Sequence, residues 1–461
     1  MADVTGAPGP HPEYGEVERA LLGRWPESRL DPSLARIQAL VDLLGDPQRG
    51  YPVVHLTGTN GKTSTSRMID ALLRSAGLRT GRFTSPHLQS MRERIGIDGA
   101  PLSEERFVRA YADVQPYLEV VDRSAPHPLS FFETITGMAY AAFADAPVDV
   151  AVVEVGMGGT WDATNVADAQ VAVVTPVAVD HAEYLGDDAA AITTEKAGIL
   201  KPGTFGVLAR QSAEAAEVLL RRAAEVGATV AREGVEFELV RRLPGVGGQM
   251  LTVRGLAREY DEVFVPLLGA HQAHNAALAV AAVEAFVGGG AELDPDVVRE
   301  GLATVRSPGR LEVVRRSPTI VLDGAHNPHG AQAAAEAVQE AFSFSPLIGV
   351  LGVLADKDVD GVLAALEPVL AEVVCTQAAT TRAMPADELA ERAEQVYGPD
   401  RVHLVQRLDD ALDTAAGLAE RGGAYVEALG SGGVLVTGSV ITVGEARTLL
   451  GAPADVGDGV T

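Results

Sequence analysis

A glycine-rich loop near the start of the chain carries residues that suit phosphate binding. It reads Thr57-Gly58-Thr59-Asn60-Gly61-Lys62-Thr63-Ser64 and lies between an apolar strand pattern and a helical pattern. Glycines let backbone N–H groups close around phosphate oxygens, and the N-terminus of the helix adds positive potential. Lys62 would reach the β- and γ-phosphates, and the Thr63 hydroxyl would bind Mg²⁺. Leu56 replaces a usual glycine, and an ordinary turn is the alternative, but the strand–loop–helix context favours nucleotide binding.

Two further polar groups follow predicted strands, where the carboxyl ends of a parallel sheet share one edge. Glu154 ends the apolar run Asp149–Val155, and His181 lies just beyond the predicted strand at residues 171–175. A carboxylate in this position predicts a Mg²⁺ ligand beside bound nucleotide, and an exposed acid is the alternative. For His181 the alternative is a histidine that only makes hydrogen bonds.

Lys196 lies in the next predicted helix, Ala189–Ile199, so it can converge on the same edge. A lysine near Mg²⁺ is electrostatically unfavourable unless its charge is removed. Carbamylation by CO₂ would convert the amine into an anionic oxygen ligand, and burial beside cations favours the neutral amine that reacts. The alternative is a surface lysine that pairs with Glu195.

Two other segments are open to two interpretations. Ser85 and His87 follow the predicted strand Arg79–Phe83 and would face the same crevice, although Ser-Pro also begins ordinary turns. Ser130-Phe131-Phe132-Glu133 opens a predicted helix, and its glutamate may serve only as a capping-box residue.

The composition restricts the class of partner. The formal net charge is −26 and hydrophobic residues make up 47% of the chain, with a pI near 4.7. This balance argues against nucleic-acid or anionic-membrane partners, because no basic surface remains to neutralise phosphates. The single cysteine, Cys375, allows no disulfide within the chain. Without a signal-peptide pattern or a long apolar run, we expect a cytoplasmic protein.

The order of predicted strands and helices indicates an α/β protein with two doubly wound domains. We expect residues 1–15 to be a disordered lead, residues 16–308 to form the ATP-binding domain and residues 309–461 to form a smaller second domain. Ser307-Pro308-Gly309-Arg310 marks the boundary, and the strand–helix alternation restarts after it. Asp323 and His326 lie at the carboxyl end of the first strand of the second domain, which is a usual position for a binding site.

Taken together, these motifs resemble the folylpolyglutamate synthase/dihydrofolate synthase family of the Mur ligase superfamily, in its actinobacterial form. They occur in family order and cover most of residues 24–440. The matching stretches are Thr57–Ser64, Ser85–Leu88, Phe132-Glu133, Glu154–Gly159, Asp162–Asn165, Asp180-His181, Glu195–Ile199, His271-Gln272, Asn275, Pro308–Arg310 and Asp323–Pro328. The resemblance implies a P-loop ATPase domain of Mur-ligase type, followed by a Rossmann-like glutamate ligase domain.

The resemblance also implies roles for single residues. Ser85, Glu154 and His181 would be Mg²⁺ ligands with Thr63 close by, and Lys196 would be carbamylated and support a second metal ion. Catalysis would depend on Lys62, Lys196 and His181. ATP would contact the loop 58–64 together with Asn275, Arg310 and Asp323. The pterin would contact Ser130, Phe131, Phe132, Glu133, Trp161, Asp162 and Ala163, and His326 would lie near the incoming glutamate.

One departure from the family pattern is the pair Thr160-Trp161, which stands where Arg-Leu is usual. The loss of an arginine alters the expected contacts to pterin or phosphate without changing the reaction class. Stacking of Trp161 on the pterin would replace lost contact, which is a hypothesis.

The implied reaction is ATP-dependent ligation of L-glutamate to dihydropteroate and to the γ-carboxyl of folates, by a monomer. Tail extension alone is the alternative within the family. A Mur-type ligase acting on a nucleotide-linked sugar is a second alternative, which Gly58 disfavours because we expect too little chain before it for the extra domain. A non-catalytic nucleotide-binding protein is a third, and it would not need Glu154, His181, Lys196 and Arg310 together.

Overall fold

The structure is a computed structural model, and it describes residues 12–26, 31–180, 184, 186, 188–288, 292–422 and 432–454. Two large sheets and one small sheet form its framework. The large sheets are mostly parallel, so each presents one edge of carboxyl strand ends where loops converge.

The first sheet has eight strands in the order β4-β3-β2-β5-β1-β6-β7-β8, and only β3 and β4 run antiparallel to their neighbours. Its central strands are buried throughout, which explains their continuous runs of valine and alanine. The strands are β1 (Val53–Thr57), β2 (Thr80–Phe83), β3 (Ile95–Ile97), β4 (Ala100–Pro101), β5 (Val150–Glu154), β6 (Val171–Val174), β7 (Phe205–Leu208) and β8 (Thr229–Arg232).

Helices cover both faces of this sheet. One face packs against the helix that follows the glycine-rich loop and against a long alanine-rich helix, and the other face packs against the N-terminal helices. The helices of this part are α1 (Pro12–Leu22), α2 (Ala35–Leu43), α3 (Lys62–Ser75), α4 (Glu104–Ser124), α5 (Phe131–Asp145), α6 (Ala189–Lys196), α7 (Ala213–Val226), α8 (Ala270–Val287) and α9 (Pro295–Ala303).

A small antiparallel sheet lies against α8 and extends the core on that side. Its strands are β9 (Glu238–Gly245), β10 (Gly248–Arg254) and β11 (Glu259–Val265). Charged residues along β11 hide its alternation of buried and exposed positions in the sequence.

The second large sheet has six strands in the order β12-β13-β17-β14-β15-β16, and only β12 is antiparallel to its neighbour. The strands are β12 (Glu312–Arg316), β13 (Thr319–Leu322), β14 (Leu347–Leu351), β15 (Glu372–Cys375), β16 (Val402–Leu404) and β17 (Gly433–Thr437). The helices are α10 (Pro328–Ala341), α11 (Val359–Leu366), α12 (Ala386–Tyr397), α13 (Leu408–Gly422) and α14 (Val440–Leu449).

These two layered α/β units confirm the predicted fold class. One expectation is wrong: residues 12–15, assigned to a disordered lead, form the first turn of α1. The reason is tertiary packing, since the buried Tyr14 ring lies edge-on to Phe107 at 5.6 Å. Residues 1–11 lie outside the described part of the chain. No helix among the described residues is long and apolar enough to cross a membrane.

Candidate nucleotide site between the two large sheets

The glycine-rich loop connects β1 to α3 and is held in a fixed shape. Gly58 and Gly61 have φ values of 140° and 88°, which other residues rarely adopt. A Cβ at Gly58 would lie 1.9 Å from the Thr175 hydroxyl, so no side chain fits there. Lys62 folds over the loop, with Nζ 3.0 Å from the Gly58 carbonyl oxygen and 3.3 Å from that of Thr59. The loop therefore presents backbone N–H groups and an ammonium group to one place, as the sequence predicts.

Glu154 ends β5, which neighbours β1, and its carboxylate lies beside the loop. The Thr63 hydroxyl donates to both carboxylate oxygens, at 2.9 and 3.1 Å. Burial raises the pKa of Glu154 to about 7, although Lys62, the Thr63 hydroxyl and the Ser85 backbone N–H each lower it. A buried carboxylate next to a hydroxyl is a set of hard oxygen donors, which suits Mg²⁺.

Lys196 lies at the end of α6, and its side chain is buried next to the same loop. Its Nζ donates a 2.9 Å hydrogen bond to the Gly58 carbonyl oxygen. Burial and then the charge of Lys62 lower the pKa of Lys196 to about 7, so a large share of the amine is neutral near pH 7. The alternative of a surface lysine paired with Glu195 is wrong, because Lys196 is 5% exposed.

His181, predicted as a metal ligand and catalytic residue, lies outside the described residues. Within the described ranges, no three His, Cys, Asp or Glu side chains are placed to share one metal ion. Of the predicted metal ligands, the structure therefore describes Ser85, Glu154, Thr63 and Lys196.

The second sheet supplies one wall of the site. Asp323 follows β13, is buried, and accepts hydrogen bonds from the backbone N–H groups of Leu311 and Ala325 at 3.0 and 2.9 Å. Burial raises the pKa of Asp323, while the nearby guanidinium of Arg310 lowers it. His326 donates a 2.9 Å hydrogen bond from Nδ1 to the Gly324 carbonyl oxygen, which can only accept.

A cavity of about 400 Å³ lies between the two sheets and brings these groups together. Its volume is in the range of small-molecule pockets. Every described residue predicted to contact ATP, a metal ion or glutamate lines it, namely residues 58–64, Ser85, Glu154, Lys196, Asn275, Arg310, Asp323 and His326.

The residues predicted to contact the pterin do not line this cavity. Phe132 lies next to it, since a Cβ on the cavity-lining Gly156 would be 2.5 Å from the Phe132 ring. Asp162 is buried and accepts hydrogen bonds from the backbone N–H groups of Met157 and Thr164, both at 2.9 Å. The Trp161 backbone N–H donates to the Glu195 carboxylate at 3.2 Å, and Ala163 is buried behind it.

Ser130 and Glu133 have a structural task at the start of α5. Each accepts a hydrogen bond from the backbone N–H of the other, at 3.1 and 2.8 Å, which forms a capping box. The Glu133 carboxylate also pairs with Arg36 at 3.0 Å, and both side chains are buried. The capping box that the sequence allowed for Glu133 is therefore present, and contact of Glu133 with the pterin stays a prediction. The adjacent Phe131 ring lies 4.8 Å below the Arg94 guanidinium.

Sequence reasoning missed Lys357, which lies between β14 and α11. Its Nζ is 2.6 Å from the Asp180 carboxylate, and both side chains are almost fully buried. The charged segment Asp356-Lys357-Asp358 comes after the parallel strand β14. Its place beyond the carboxyl end of a parallel strand could have identified Lys357 as a candidate site residue.

The fold and the site define a nucleotide-binding protein of Mur-ligase type. Residues 56–283 match the Mur ligase middle domain, and residues 309–439 match the Mur ligase, glutamate ligase domain.

Similarity to individual proteins shows which family of Mur ligases the chain belongs to. A dihydrofolate synthase/folylpolyglutamate synthase of Mycobacterium tuberculosis is 52% identical over 455 residues, which are 95% of this chain and 93% of that protein. A crystal structure of M. tuberculosis folylpolyglutamate synthase complexed with ADP and AMPPCP is similar with a TM-score of 0.92 at 51% identity, over 96% of this chain and 99% of that one. E. coli FolC in complex with DHPP and ADP gives a TM-score of 0.82 at 29% identity, over 95% and 98% of the two chains. The chain belongs to the dihydrofolate synthase/folylpolyglutamate synthase family of the Mur ligases, and the resemblance seen in the sequence is confirmed.

Proposed function

We propose that this chain ligates L-glutamate to dihydropteroate and to the γ-carboxyl of folates, with hydrolysis of ATP to ADP and phosphate. One observation carries the proposal: Lys62, Glu154 and Asp323 line the same cavity although they follow strands of two different sheets. A ligase needs nucleotide, metal-binding and second-substrate groups at one place. The relatives named dihydrofolate synthase/folylpolyglutamate synthase support both activities.

In the first step, a carboxylate oxygen of the substrate attacks the γ-phosphorus of ATP. The bond from that phosphorus to the β–γ bridging oxygen breaks, which gives an acyl phosphate and ADP. Lys62 and the backbone N–H groups of residues 58–63 hold the phosphates and stabilise the charge of the transferred group. Arg310 and Asp323 hold the nucleotide from the other side of the cavity.

In the second step, the amine nitrogen of L-glutamate attacks the acyl carbon, and the carbon–oxygen bond to phosphate breaks. The released phosphate keeps one oxygen of the substrate carboxylate. His326 is our proposed contact for the incoming glutamate, since it lies on the second-sheet wall. Enclosure of the cavity between the two sheets protects the acyl phosphate from water.

The residues present fit Mg²⁺, with Glu154, Ser85 and Thr63 as oxygen donors and His181 as a further ligand. When bound, the metal ion would neutralise phosphate charge in the first step. We propose that Lys196 is carbamylated and supports a second metal ion. Its buried amine beside the Gly58 carbonyl oxygen and the cationic Lys62 supports this modification.

The pterin end of the substrate is proposed to lie beside Gly156, in contact with Ser130–Glu133 and Trp161–Ala163. We assign residues 16–308 to ATP and pterin binding and residues 309–461 to the glutamate-ligase part. The acidic composition supports small-molecule substrates and argues against nucleic-acid or membrane partners. From composition we propose a cytoplasmic protein, which cell fractionation will test. We also propose a monomer, which sedimentation analysis of the purified protein will test.

The test is phosphate release from ATP and Mg²⁺, with L-glutamate and either dihydropteroate or tetrahydrofolate. We expect glutamate-dependent release with both substrates, and a loss of about 10²- to 10³-fold in kcat for Lys62→Met. Release with tetrahydrofolate alone would restrict the function to tail extension. Release with neither would contradict the proposal.

A further inference from the structure

A buried glutamate and a partly exposed histidine, Glu233 and His274, form a pair that lines the cavity. Glu233 follows β8, and its carboxylate is hydrogen bonded to His274 Nδ1 of α8 and to the Arg210 backbone N–H, the latter at 2.8 Å. Burial acts to raise the pKa of Glu233, but these hydrogen bonds outweigh it and leave the pKa lowered. The carboxylate is therefore charged and acts as an acceptor from both groups.

The strand order places this pair on the opposite side of β1 from Glu154. Glu154 ends β5 on one side of β1, whereas Arg210 and Glu233 follow β7 and β8 on the other side. With strands about 4.8 Å apart, β8 lies roughly 14 Å from β1. This distance suits a nucleotide whose phosphates lie on the glycine-rich loop and whose base lies at the far end.

The surroundings of the pair suit a flat heterocycle. Leu278, one turn after His274 on α8, and Ala209 give that end of the cavity an apolar wall. Ala333 and Ala334 of α10 line the cavity from the second sheet. Base binding sites typically combine such apolar walls with few polar groups that fix orientation.

The hydrogen bond to Glu233 determines what the imidazole can recognise. Because the Glu233 carboxylate can only accept, the His274 proton is held at Nδ1, and in the neutral ring Nε2 is then an acceptor. His274 lines the cavity, and no described residue is hydrogen bonded to its Nε2. An acceptor at this position suits an exocyclic amino group and opposes a carbonyl oxygen.

We propose that His274, held in one tautomer by Glu233, is a specificity-determining residue that selects nucleotides with a 6-amino purine. This inference rests on the proposed use of ATP. It assigns base selection to a pair on the first domain, separate from the phosphate-binding loop.

The test compares ATP with ITP, in which a carbonyl oxygen replaces the 6-amino group and N1 carries a proton. We expect the ratio of kcat/KM for ATP over ITP to fall about tenfold in His274→Ala, which is the size of one lost hydrogen bond. In Glu233→Gln the amide can donate to Nδ1 and leave a proton on Nε2, so the ratio should fall at least as far. His403→Ala is the matched control, because His403 forms a 2.6 Å pair with Glu372 on the second sheet, outside the cavity.

An unchanged ATP/ITP ratio in His274→Ala would overturn the inference, and so would an equal fall in His403→Ala. If Glu233→Gln does not fold, His274→Ala alone decides. If the wild-type protein shows no turnover, the proposed function fails, and calorimetric affinities for ADP and IDP in the same variants still decide the role of His274.

Discussion

Lys357 and Asp180 form a 2.6 Å ion pair that joins the loops of the two large sheets at the cavity. Asp180 also accepts a 3.1 Å hydrogen bond from Asn327, whose own side chain exchanges two hydrogen bonds with Asn60 of the glycine-rich loop. Both charged side chains are at most 7% exposed. Charged and amide groups therefore join the two large sheets at the nucleotide site.

Removal of one partner of this pair deprives the other buried charge of its counter-ion. We expect Lys357→Met to destabilise the protein by about 3–5 kcal/mol, and Asp180→Asn combined with it to recover most of that loss. Urea unfolding of the wild type, both single variants and the double variant gives the coupling free energy. A coupling below about 0.5 kcal/mol, the range of exposed pairs, would show that the ion pair is not held as described.

Carbamylation of Lys196 predicts a specific rescue. Lys196→Ala should lose phosphate release, because the oxygen ligand of the second metal ion is missing, and short carboxylates such as acetate should restore part of it. The wild type should lose activity after CO₂ is removed and regain it when bicarbonate is added. If Lys196→Ala releases phosphate at the wild-type rate, or if no carboxylate changes its rate, the modification loses its support.

His55 makes stability depend on pH. It is fully buried in β1, with Nε2 2.8 Å from the Thr164 hydroxyl, and burial followed by the charge of Lys201 lowers its pKa to about 3. The unfolded chain takes up a proton near the ordinary pKa of about 6.5, whereas the folded chain does not. The stability from His55 is thus complete above pH 6.5 and is lost as the pH falls from 6.5 towards 3.

His55→Leu should remove this dependence. Between pH 6.5 and 4, the unfolding free energy of the wild type should fall more steeply than that of the variant, by up to about 1.4 kcal/mol per pH unit. Urea unfolding at several pH values measures both slopes, and the same pair at pH 8 measures the cost of the lost hydrogen bond. Equal slopes for the wild type and the variant would mean that His55 has the same pKa in the folded and the unfolded chain, which would contradict this prediction.

Trp161 is predicted to stack on the pterin. We expect Trp161→Leu to raise KM for dihydropteroate by about tenfold, the upper range of one aromatic contact, while KM for ATP stays the same. Trp161→Phe keeps an aromatic face and should behave more like the wild type. Steady-state phosphate release measures all three proteins, and equal KM values for dihydropteroate would exclude stacking.

The phosphate loop and its metal side could be predicted from the sequence. Gly58, Lys62 and Glu154 follow adjacent parallel strands, and parallel topology alone brings such residues to one edge. Asn275 packs against Gly61 of the glycine-rich loop. Because its helix lies about 200 residues after that loop in the chain, only the resemblance to the family placed Asn275 at the nucleotide site.

The contacts between the two domains could not be predicted. Lys357 reaches Asp180, and Gly444 of α14 packs against Leu88, where an added Cβ would lie 1.9 Å from the Leu88 carbonyl oxygen. Such contacts depend on how two separately folded sheets dock, which no local periodicity encodes. Strand β12 was missed for a related reason, since its outward charged residues resemble a loop until β13 pairs with it.

The acyl phosphate is the central claim of this account, and oxygen transfer tests it most directly. Dihydropteroate labelled with ¹⁸O in its carboxylate is incubated with ATP, Mg²⁺ and L-glutamate, and the released phosphate is analysed by mass spectrometry. We predict one ¹⁸O atom in each phosphate formed, because the attacking carboxylate oxygen leaves with the phosphoryl group. Amide product together with unlabelled phosphate would contradict the acyl phosphate and the mechanism built on it.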